Sequence, residues 1–567
     1  MTDLYVLDYG AGNVRSLYNA IERLGYKPKR IRDPKDFLVA KKLIFPGVGS
    51  FGSAMTFLKK KQYFEPLKQY IHSGKAYFGI CIGMQALFRS SEESPGIQGL
   101  DVLHDTIQKF PTGKGYPAVP HIGWNGLRLT KESTLFKNTS SSSSEDEKRD
   151  RKDELYYFVH SFRAKPNDTI KEWTLSLTDY GNDAFVSAVQ RGNVVATQFH
   201  PEKSGKAGLA LIDAFLSSDT IPDGKRISTL DDEIKRTRVS RRVVAGLDVR
   251  PNDEGEMVLT KGLSYDVRET GSERKVRNLG DPVESAHHYY LEGCDEIVFL
   301  NIKSFATDTL GDSPMMRVLE RASERIFVPL TIGGGIRSYT TKDGKTHSAL
   351  DVAAAYFRAG ADKVSIGSAA VKAVETYIAN GETTSGDSCI ETIVTVYGRQ
   401  AVVVSIDPRR VYLADDEACD AARKAGHTVV RCDSRRVGPH GETRCWYQLT
   451  VKGGRETRPL DAVRFARCCE RLGAGELLIN CIDQDGRKSG FDLELINAVC
   501  DAVTIPVIAS SGAGCPAHFT EVFQRTRSEA ALGAGIFHRR ETRISEVKEH
   551  MKRAGVSTRR GDKGGKG

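Results

Sequence analysis

The sequence predicts an α/β protein with two domains, an α/β domain followed by an eight-stranded β/α barrel. Three observations predict this fold class. The chain has 567 residues, which suffices for two large domains. Its first 217 residues alternate apolar runs that end in Gly or Pro with helix-like segments, a pattern typical of a mostly parallel sheet. Beyond residue 241, eight strand-like runs recur with helical stretches between them, which is the number and order of elements in an eight-stranded β/α barrel.

The composition excludes several classes of protein. Hydrophobic residues make up 40% and charged residues 27%, so most of the chain is expected to fold into packed cores. A net charge of +9 is too small an excess at this length to indicate nucleic-acid binding. The 11 cysteines include no CxxC pair, which disfavours a disulfide scaffold or a zinc site. With no signal peptide and no long apolar run, we expect a soluble, cytoplasmic protein.

Two polar stretches divide the chain. Residues 139–154 are Ser-rich and then charged, and they are predicted to be an exposed insertion within the first domain, because a strand-like run follows them. Residues 218–240 are polar and charged and are interpreted as a linker. The predicted domains are therefore residues 1–217 and 241–556, followed by a basic, glycine-rich tail at 557–567.

A cysteine flanked by glycines is the candidate nucleophile of the first domain. Cys81 lies between Gly79 and Gly83 in AYFGICIGMQALF, after a strand-like run and before a predicted amphipathic helix. Glycine on both sides allows the sharp, strained turn that exposes a nucleophile, and a following helix N-terminus favours the thiolate. A buried core cysteine is the commoner alternative, but the order strand, Gly-x-Cys-x-Gly, helix favours the nucleophile.

The segment ATQFHPEKSG contains the candidate base. His200 ends a predicted strand, and Glu202 follows two residues later. The chain order Cys, His, Glu predicts that His200 takes the thiol proton and protonates the leaving ammonia, while Glu202 orients the imidazole; an ordinary proline turn is the alternative. The turn FPGVGSFG can direct backbone N–H groups at an oxyanion. The predicted oxyanion donors are Gly47, Val48 and Gly49, together with the N–H group of Ile82.

The second domain contains eight strand candidates. Most are β-branched runs without polar alternation, as expected for buried parallel strands. They are RVVAGLDV (242–249), EIVFLNI (296–302), VPLTIGGG (328–335), DKVSIG (362–367), AVVVSID (401–407), ELLINCI (476–482), IPVIASSG (505–512) and ALGAGIF (531–537). The longest gap, residues 408–475, includes the polar text GPHGETRCWYQLTVKGGRE and is predicted to be an elaborated loop.

Two aspartates and four glycine-rich turns mark the strand ends. Asp248 ends the first strand and Asp407 the fifth, so they face each other across the mouth and fit an acid–base pair; either could instead be a helix cap. The turns GGG and SSGAG follow the third and seventh strands, while SIGSA and GAGIF follow the fourth and eighth. Such turns cradle phosphate, which predicts a phosphate at each end of the substrate. A duplication with one dead site is the alternative.

The first domain resembles the class I glutamine amidotransferases over residues 3–217. LDYGAGN (7–13), HIGWN (121–125) and YYFVHSF (156–162) are similar to the glutaminase of the imidazole glycerol phosphate synthase family. The resemblance implies a flavodoxin-like α/β fold and hydrolysis of glutamine through a cysteinyl thioester. It also implies that Gln85 binds glutamine.

The second domain resembles the cyclase of the same family, through stretches such as NLGDPVE, IGGGIRS and NCIDQDGRKSGFD. The resemblance implies a (β/α)8 TIM barrel in which Asp248 and Asp407 are the acid and the base. The implied substrate or phosphate contacts are Lys261, Gly335, Gly367, Ser368, Asp485, Gly486, Ser510, Ser511, Gly512 and Gly535. Gly246 and Gly367 replace a cysteine and an asparagine of the bacterial pattern, whereas the long insert resembles the fused eukaryotic form.

The resemblance also implies how the two reactions are joined. Ammonia would cross the barrel interior from the face where the glutaminase docks, past a ring formed by Arg242, Glu296, Lys363 and Glu476; plain ion pairs at strand starts are the alternative. It would then react with PRFAR to give imidazole glycerol phosphate and AICAR. No residue cluster requires a metal or a cofactor. We expect a monomer that acts on glutamine and PRFAR and has no nucleic-acid or membrane partner.

Two other functions remain open from the sequence. An amidotransferase fused to another phosphate-binding barrel, such as pyridoxal phosphate synthase, would need catalytic lysines where this chain has aspartates. A regulatory scaffold with a dead glutaminase conflicts with the intact triad residues.

Overall fold

A computed structural model describes residues 3–10, 12–136, 154–227, 236–260, 278–302, 314–341 and 344–561. The chain forms two compact units, of which the first reaches Ser240 and the second takes up most of the chain from Arg241 onward. Lys261 lies outside the described residues, as do most of the serine-rich insertion and the last six residues. Within the described ranges, no helix is long and apolar enough to cross a membrane.

A mixed sheet of eight strands forms the centre of the first unit. The strands of this unit are β1 (Leu4–Val6), β2 (Lys29–Arg30), β3 (Lys42–Phe45), β4 (Ala76–Ile80), β5 (Phe88–Ser91), β6 (Leu103–Lys109), β7 (His121–Asn125), β8 (Arg128–Leu129), β9 (Tyr156–His160), β10 (Phe162–Arg163), β11 (Thr174–Tyr180), β12 (Asp183–Arg191) and β13 (Val194–Thr197). The sheet order is β2-β1-β3-β4-β13-β12-β11-β8. Neighbours from β2 to β13 run parallel, and the remaining pairs run antiparallel.

Helices with one apolar stripe pack around this sheet. They are α1 (Val14–Arg23), α2 (Asp36–Val39), α3 (Phe51–Lys60), α4 (Phe64–His72), α5 (Ile82–Gln85) and α6 (Gly205–Ser217). In α1 the buried residues include Val14, Leu17 and Ile21, at the three- and four-residue spacing of one helix face. The Asn13 side chain begins this helix by accepting a hydrogen bond from the Ser16 N–H at 3.0 Å.

The described ends of the predicted linker pack on the first unit. The Thr237 N–H donates to Asp179 Oδ2 at 2.8 Å. Ser240 forms an isolated β-bridge with Trp124. These contacts hold residues 237–240 against the rest of the first unit.

The second unit is an eight-stranded parallel barrel with extra strands, which confirms the predicted fold class. Its strands are β14 (Arg242–Pro251), β15 (Met257–Thr260), β16 (Glu296–Asn301), β17 (Leu330–Gly333), β18 (Tyr339–Thr340), β19 (Thr346–His347), β20 (Lys363–Ile366), β21 (Val402–Leu413), β22 (Val430–Arg431), β23 (Arg444–Val451), β24 (Glu456–Asp461), β25 (Glu476–Asn480), β26 (Val507–Ser510) and β27 (Ala530–Gly533). The order β14-β16-β17-β20-β21-β25-β26-β27 closes because β27 pairs with β14.

The helices of the second unit mostly follow the barrel strands along the chain. They are α7 (Pro282–Leu291), α8 (Pro314–Ser323), α9 (Ala349–Ala359), α10 (Ser368–Ala379), α11 (Cys389–Tyr397), α12 (Asp416–Lys424), α13 (Ala462–Arg471), α14 (Leu493–Ala502), α15 (Pro516–Arg525), α16 (Gly535–His538) and α17 (Ile544–Arg553). This alternation of strand and helix is the architecture of a (β/α)8 barrel.

The barrel interior is layered along the strands. Val244, Val298, Val403, Leu478, Ile508, Ala530 and Leu532 form one buried cluster although they come from six different strands. Because side chains two residues apart share a strand face, Arg242 lies one step before Val244 on this inner face of β14, and Asp248 two steps after it. The charged residues at the strand starts and the aspartates further along are therefore separated by this layer, in which Thr331 and Ser365 pair with Val298 and Val403 and add two hydroxyl groups.

Two segments differ from the sequence prediction. The predicted loop after the fifth strand contains regular structure: β21 continues past Asp407 and pairs antiparallel with β23, so the text CWYQLTV is a strand. The last strand candidate ends at Gly533, and Gly535 begins the short helix α16.

Candidate active sites

Cys81 lies at a strained turn directly after β4. Its backbone has φ +52° and ψ −98°, and the residue is 4% exposed. A positive φ is rare for a residue with a side chain, and it recurs at catalytic turns. A Cβ at Gly83 would lie 1.9 Å from the Phe45 carbonyl oxygen, and one at Gly79 would lie 2.5 Å from the Gly83 carbonyl oxygen. Only glycine fits at both flanking positions.

The helix after Cys81 is shorter than the sequence predicts. Helix α5 is a single turn that ends at Gln85, and β5 begins three residues later at Phe88. One turn carries a smaller macrodipole than a full amphipathic helix. The strained turn and its neighbours, rather than a long helix, therefore define the surroundings of the thiol.

His200 is brought to Cys81 because β4 and β13 are parallel neighbours. Thr197 pairs with Ile80, and the Cys81 N–H donates to the Thr197 carbonyl at 2.7 Å. His200 is 3% exposed and contacts Glu202, with 2.7 Å between Nδ1 and Oε1. Since the carboxylate accepts, Nδ1 carries a proton and Nε2 is the atom left for proton transfer.

The pKa of His200 reflects two opposing effects. Burial alone would lower it, but the nearby Glu202 and Cys81 charges outweigh burial and raise the pKa of His200 to about 10. A histidine with this pKa is protonated at neutral pH and can donate a proton to a leaving amine. A side-chain hydrogen bond between His200 and Cys81 also raises this pKa.

Two buried glutamines lie beside the triad. Gln198 donates from Nε2 to Cys81 Sγ at 3.4 Å, and its Oε1 accepts from Gln85 Nε2 at 3.1 Å. Gln85, which the resemblance implies as a glutamine-binding residue, also donates to the Phe162 carbonyl at 3.3 Å. Gln198 is absent from the sequence prediction. The signal available was its position two residues before His200, where extended backbone puts both side chains on one face.

The predicted oxyanion turn lies against Cys81. The Ile82 N–H donates to the Gly47 carbonyl over a long 3.4 Å, so in this conformation one of the predicted donors is already engaged. The Tyr9 hydroxyl donates to the Val48 carbonyl at 2.6 Å and holds the turn. An oxyanion at the Ile82 N–H would have to displace the Gly47 carbonyl. Gly49, in the same turn, has φ +139°.

A carboxylate that sequence reasoning missed lies close to this turn. Glu93 Oε2 accepts from the Phe51 N–H at 2.7 Å, at the start of α3. Burial raises the pKa of Glu93 to about 7. Burial, together with the charges of Cys81 and Glu93, also raises the pKa of Tyr9. A carboxylate here would pair with a positively charged group of a bound ligand.

The two aspartates of the barrel lie within β14 and β21, which both continue past them to pair with a further strand, so neither aspartate ends its strand as predicted. Asp248 is 8% exposed. Burial raises the pKa of Asp407 to about 6, aided by the charge of Asp485 and opposed by a hydrogen bond from Asn480. Asn480 Nδ2 donates to Asp407 Oδ1 at 3.0 Å. Asn480, at the end of β25, is a second residue absent from the sequence prediction.

The predicted phosphate residues form two groups on opposite sides of the barrel. Gly335 follows β17, while Gly367 and Ser368 follow its neighbour β20, where Ser368 begins α10. A Cβ at Gly367 would meet open space, so packing does not require a glycine there. Helix α10 has 12 residues, so the N–H groups of its first turn can bind an anion.

The opposite group follows the neighbours β26 and β27. Ser511 has φ +67° and Gly512 has φ +98°. A Cβ at Gly512 would lie 2.2 Å from the Gly490 carbonyl, so this turn needs glycine. Ser510 ends β26, and Gly535 begins α16. Because the strands within each group are neighbours in the barrel, most of the predicted phosphate contacts lie in two sets.

A buried ionic network supports the loop that carries Asp485 and Gly486. Arg410, three residues after Asp407, donates from Nε to Asp492 at 2.9 Å and from Nη2 to Glu494 at 3.1 Å. Its backbone N–H donates to Asp483 Oδ2 at 2.6 Å. The Tyr447 hydroxyl donates to Asp492 Oδ1 at 2.6 Å. Arg410 thereby connects the extension of β21 to both ends of this loop.

The four predicted gate residues form a closed ring at the strand starts. Arg242 contacts Glu296 at 2.7 Å and also contacts Glu476. Lys363 Nζ lies 2.6 Å from a carboxylate oxygen of each glutamate. All four side chains are at most 1% exposed. Burial alone would raise the pKa of Glu296, but Lys363 and Arg242 hold it below its usual value.

Comparisons with known proteins cover both units. The family described as "Glutamine amidotransferase class-I" matches residues 5–217, and the family described as "Histidine biosynthesis protein" matches residues 242–543. The imidazole glycerol phosphate synthase hisHF, chloroplastic, of Arabidopsis thaliana is 49% identical over 554 residues, which cover 98% of this chain and 89% of that protein.

Of two further relatives, one matches nearly the whole chain and the other matches 57% of it. The imidazole glycerol phosphate synthase hisHF of Schizosaccharomyces pombe is 49% identical over 549 residues, covering 96% of this chain and 98% of that protein. The imidazole glycerol phosphate synthase subunit HisF of Methanopyrus kandleri is 38% identical over 321 residues, covering 57% of this chain and 98% of that protein. With both activities' domains matched in one polypeptide, the chain belongs to the fused imidazole glycerol phosphate synthase family of enzymes.

Proposed function

We propose that this enzyme hydrolyses glutamine in its first unit and uses the released ammonia in its barrel to convert PRFAR into imidazole glycerol phosphate and AICAR. The observation that carries the proposal is the pairing of two chemically distinct sites in one chain. One has a strained cysteine beside a His–Glu pair. The other has two aspartates between two groups of glycine-rich turns.

The first reaction is a two-step acyl transfer at Cys81. The thiolate attacks the side-chain amide carbon of glutamine, and the C–N bond breaks as His200 gives its proton to the leaving ammonia. Water then attacks the thioester, passes a proton to His200 and releases glutamate. Backbone N–H groups of Gly47, Val48, Gly49 and Ile82 would stabilise the oxyanion, once the Ile82 N–H gives up its bond to Gly47.

Binding of glutamine uses the charges around the same turn. Gln85 donates to the side chain of Gln198, which in turn donates to Cys81 Sγ. The Glu93 carboxylate, near Tyr9 and the oxyanion turn, has the charge needed to bind the α-ammonium group of glutamine. These two side chains would hold opposite ends of the substrate and orient its amide toward Cys81.

The second reaction would take place between the two groups of predicted phosphate-binding residues. Gly335, Gly367 and Ser368 would bind one phosphate of PRFAR. Ser510, Ser511, Gly512 and Gly535 would bind the other. Asp485 and Gly486 lie in the loop that Arg410 supports, and Lys261 completes the predicted contact set. Asp248 and Asp407 would exchange protons through imine formation, C–N cleavage and ring closure.

Ammonia transfer joins the two reactions. We propose that it enters at the ring of Arg242, Glu296, Lys363 and Glu476, because the ring closes the barrel interior at the strand starts, whereas Asp248 and Asp407 lie several residues further along their strands. A closed ring must break at least one ion pair to admit ammonia. Opening would therefore be a regulated step.

Four segments make up the proposed domain organisation of the chain. We assign residues 1–217 to the glutaminase, 218–240 to the linker, 241–556 to the cyclase and 557–567 to a tail. One chain carries both activities, so a monomer suffices for turnover, and sedimentation of the purified protein would test this state. We place the enzyme in the cytoplasm, which localisation of a fluorescent fusion would test.

Glutamate release measured with and without PRFAR tests the function. We expect PRFAR to stimulate release about tenfold or more, which is within the range of coupling between distinct sites, and to yield one imidazole product per glutamate. Inorganic phosphate at the same concentration is the matched control and should not stimulate. Glutamate release that ignores PRFAR, or an absence of imidazole product, would contradict the proposal.

A further inference from the structure

Gln198 is a buried polar residue that touches the sulfur of Cys81. It is 0% exposed and comes directly after β13. Because Thr197 pairs with Ile80, the next residues along these parallel strands, Gln198 and Cys81, are direct neighbours. Its Nε2 lies 3.4 Å from Cys81 Sγ. Burying an amide is unfavourable unless its hydrogen-bonding groups are satisfied, so the contact is a built feature of the site.

The orientation of the Gln198 amide follows from a chain of fixed partners. The Phe162 carbonyl can only accept, so the group of Gln85 that lies 3.3 Å from it must be the amide nitrogen. The same nitrogen lies 3.1 Å from Gln198, so that contact atom must be the acceptor Oε1. The remaining end of the Gln198 amide, its NH2 group, therefore faces Cys81 Sγ.

The carbonyl that begins this chain is itself anchored. The Phe162 oxygen also accepts from His160 Nδ1 at 2.8 Å. Burial lowers the pKa of His160 to about 3, so the neutral ring keeps its one proton on Nδ1 at neutral pH. The orientation of Gln198 is thus fixed by a backbone carbonyl and a neutral histidine, both independent of whether Cys81 is ionised.

We propose that Gln198 is a catalytic residue that stabilises the Cys81 thiolate by donating a side-chain N–H to Sγ. The inference deepens the proposed glutaminase, since it rests on Cys81 as the nucleophile. His200 gains and loses a proton during turnover, whereas an amide N–H is a permanent donor. Gln198 therefore supports the thiolate before attack and again when the thioester breaks and the sulfur leaves with the electron pair.

The test compares two buried glutamines of the same unit. Gln198→Met removes the donor while it keeps the length of the side chain. Gln190→Met is the matched control, because Gln190 is 1% exposed and donates to the Pro222 carbonyl at 3.0 Å, within a strand of the same sheet. The full-length protein is alkylated with iodoacetamide over a range of pH, and modification of Cys81 is followed by mass spectrometry.

We expect Gln198→Met to shift the pH midpoint of Cys81 alkylation upward by roughly one to two units, and to lower kcat for glutamine roughly 10- to 100-fold, as for loss of a hydrogen bond to a charged group. Its ammonia-dependent cyclase activity should be unchanged. Gln190→Met should match wild type in all three measurements. Gln85→Met should shift the midpoint less than Gln198→Met, because it frees the amide to rotate without removing it.

The opposite outcome is equally measurable. A Gln198→Met protein with wild-type midpoint and kcat overturns the proposal, as does a Gln190→Met protein with the same defects. If Gln198→Met loses ammonia-dependent activity, Gln198→Glu keeps the shape and lacks the donor, and it should shift the midpoint further. Because alkylation needs no turnover, a wild-type protein without glutaminase activity would refute the proposed function and leave the Gln198 result readable.

Discussion

At the scale of single residues, Cys81 combines backbone strain with close support. A non-glycine residue at φ +52° costs on the order of 1–3 kcal/mol and persists only where its surroundings impose it. Here the Cys81 N–H is held by Thr197, while Gly79 and Gly83 allow the approach of neighbouring backbone. The strain is local to the turn, so a substitution of the side chain alone should leave the backbone geometry in place.

Cys81→Ala should therefore separate the two activities. We expect loss of glutamine-dependent synthesis, because the nucleophile is gone, and retention of ammonia-dependent synthesis at high pH, where free ammonia is abundant. Imidazole product formed from each nitrogen source is the measurement. Cys389→Ala, at a cysteine outside both sites, should keep both activities. Equal loss of the two activities in Cys81→Ala would contradict the assignment of two sites.

Asp407 predicts a pH-dependent stability. Its pKa is about 6 in the folded protein and near 3.8 when unfolded, so the folded state holds more protons between these values. Stability contributed by this carboxyl is thus greatest at low pH and falls as pH rises toward 6. Asp407→Asn removes the buried charge and can still accept from Asn480. We expect it to be more stable than wild type by about 1 kcal/mol at pH 8, and inactive as a cyclase.

Thermal unfolding at pH 5 and pH 8 measures this difference. The advantage of Asp407→Asn over wild type should be larger at pH 8 than at pH 5. An advantage that is the same at both values would show that the charge of Asp407 is not the cause.

Some residues of the sites were predictable and others were not. Cys81, His200 and Glu202 stand in short motifs whose chain order indicates their chemistry. Gln198 and Asn480 do not, because one amide at the end of a strand resembles any other until the strand register is known. The Ile82 N–H was predicted as a free donor, yet its bond to Gly47 depends on two turns 35 residues apart along the chain.

At the scale of elements, the fifth barrel strand extends into a region where the hydrophobic pattern of the sequence did not predict strands. The eight strands were predicted, since buried parallel strands are apolar on both faces. The extension of β21 and its partner β23 was predicted as loop. In β23 six of eight residues are buried, including neighbours on opposite faces, so the polar alternation expected of an exposed hairpin is missing. The carboxylate partners of Arg410, 73 to 84 residues away, leave no local signal.

Arg410 gives the element-scale prediction. Arg410→Met leaves the buried Asp492 without its cation, whereas Glu494 keeps its contact with Arg436 at 3.4 Å. We expect destabilisation by about 3 kcal/mol. Because the loop of Asp485 loses its support, KM for PRFAR should rise in the folded fraction. Urea unfolding and steady-state kinetics are the measurements, and Arg410→Lys should recover part of both. Arg423→Met, at an exposed i,i+3 pair with Asp420, is the control and should change stability by less than about 0.5 kcal/mol.

At the scale of the whole molecule, the proposed gating role of the ring at the strand starts predicts how much of the nitrogen is conserved. Lys363→Met leaves two buried glutamates with Arg242 as their remaining cation, so we expect the closed ring to loosen. Ammonia should then escape, and glutamate released should exceed imidazole product, in place of a one-to-one ratio. Lys372→Met, at an exposed residue of α10, is the control. A ratio that stays at one in Lys363→Met would contradict a gating role for the ring.

The apolar layer inside the barrel has a consequence for proton balance. The cluster around Val244, Val403 and Leu478 is apolar, and Thr331 and Ser365, which pair with Val298 and Val403 in the same layer, add hydroxyl groups but no charge. Moving an unpaired ammonium into such surroundings costs several kcal/mol. Nitrogen that crosses this layer must cross as neutral ammonia. Hydrolysis of glutamine to glutamate and ammonia releases one proton from the new carboxyl group, and that proton cannot follow. On the proposed path through the barrel, the nitrogen and the proton would therefore leave the first active site by different routes.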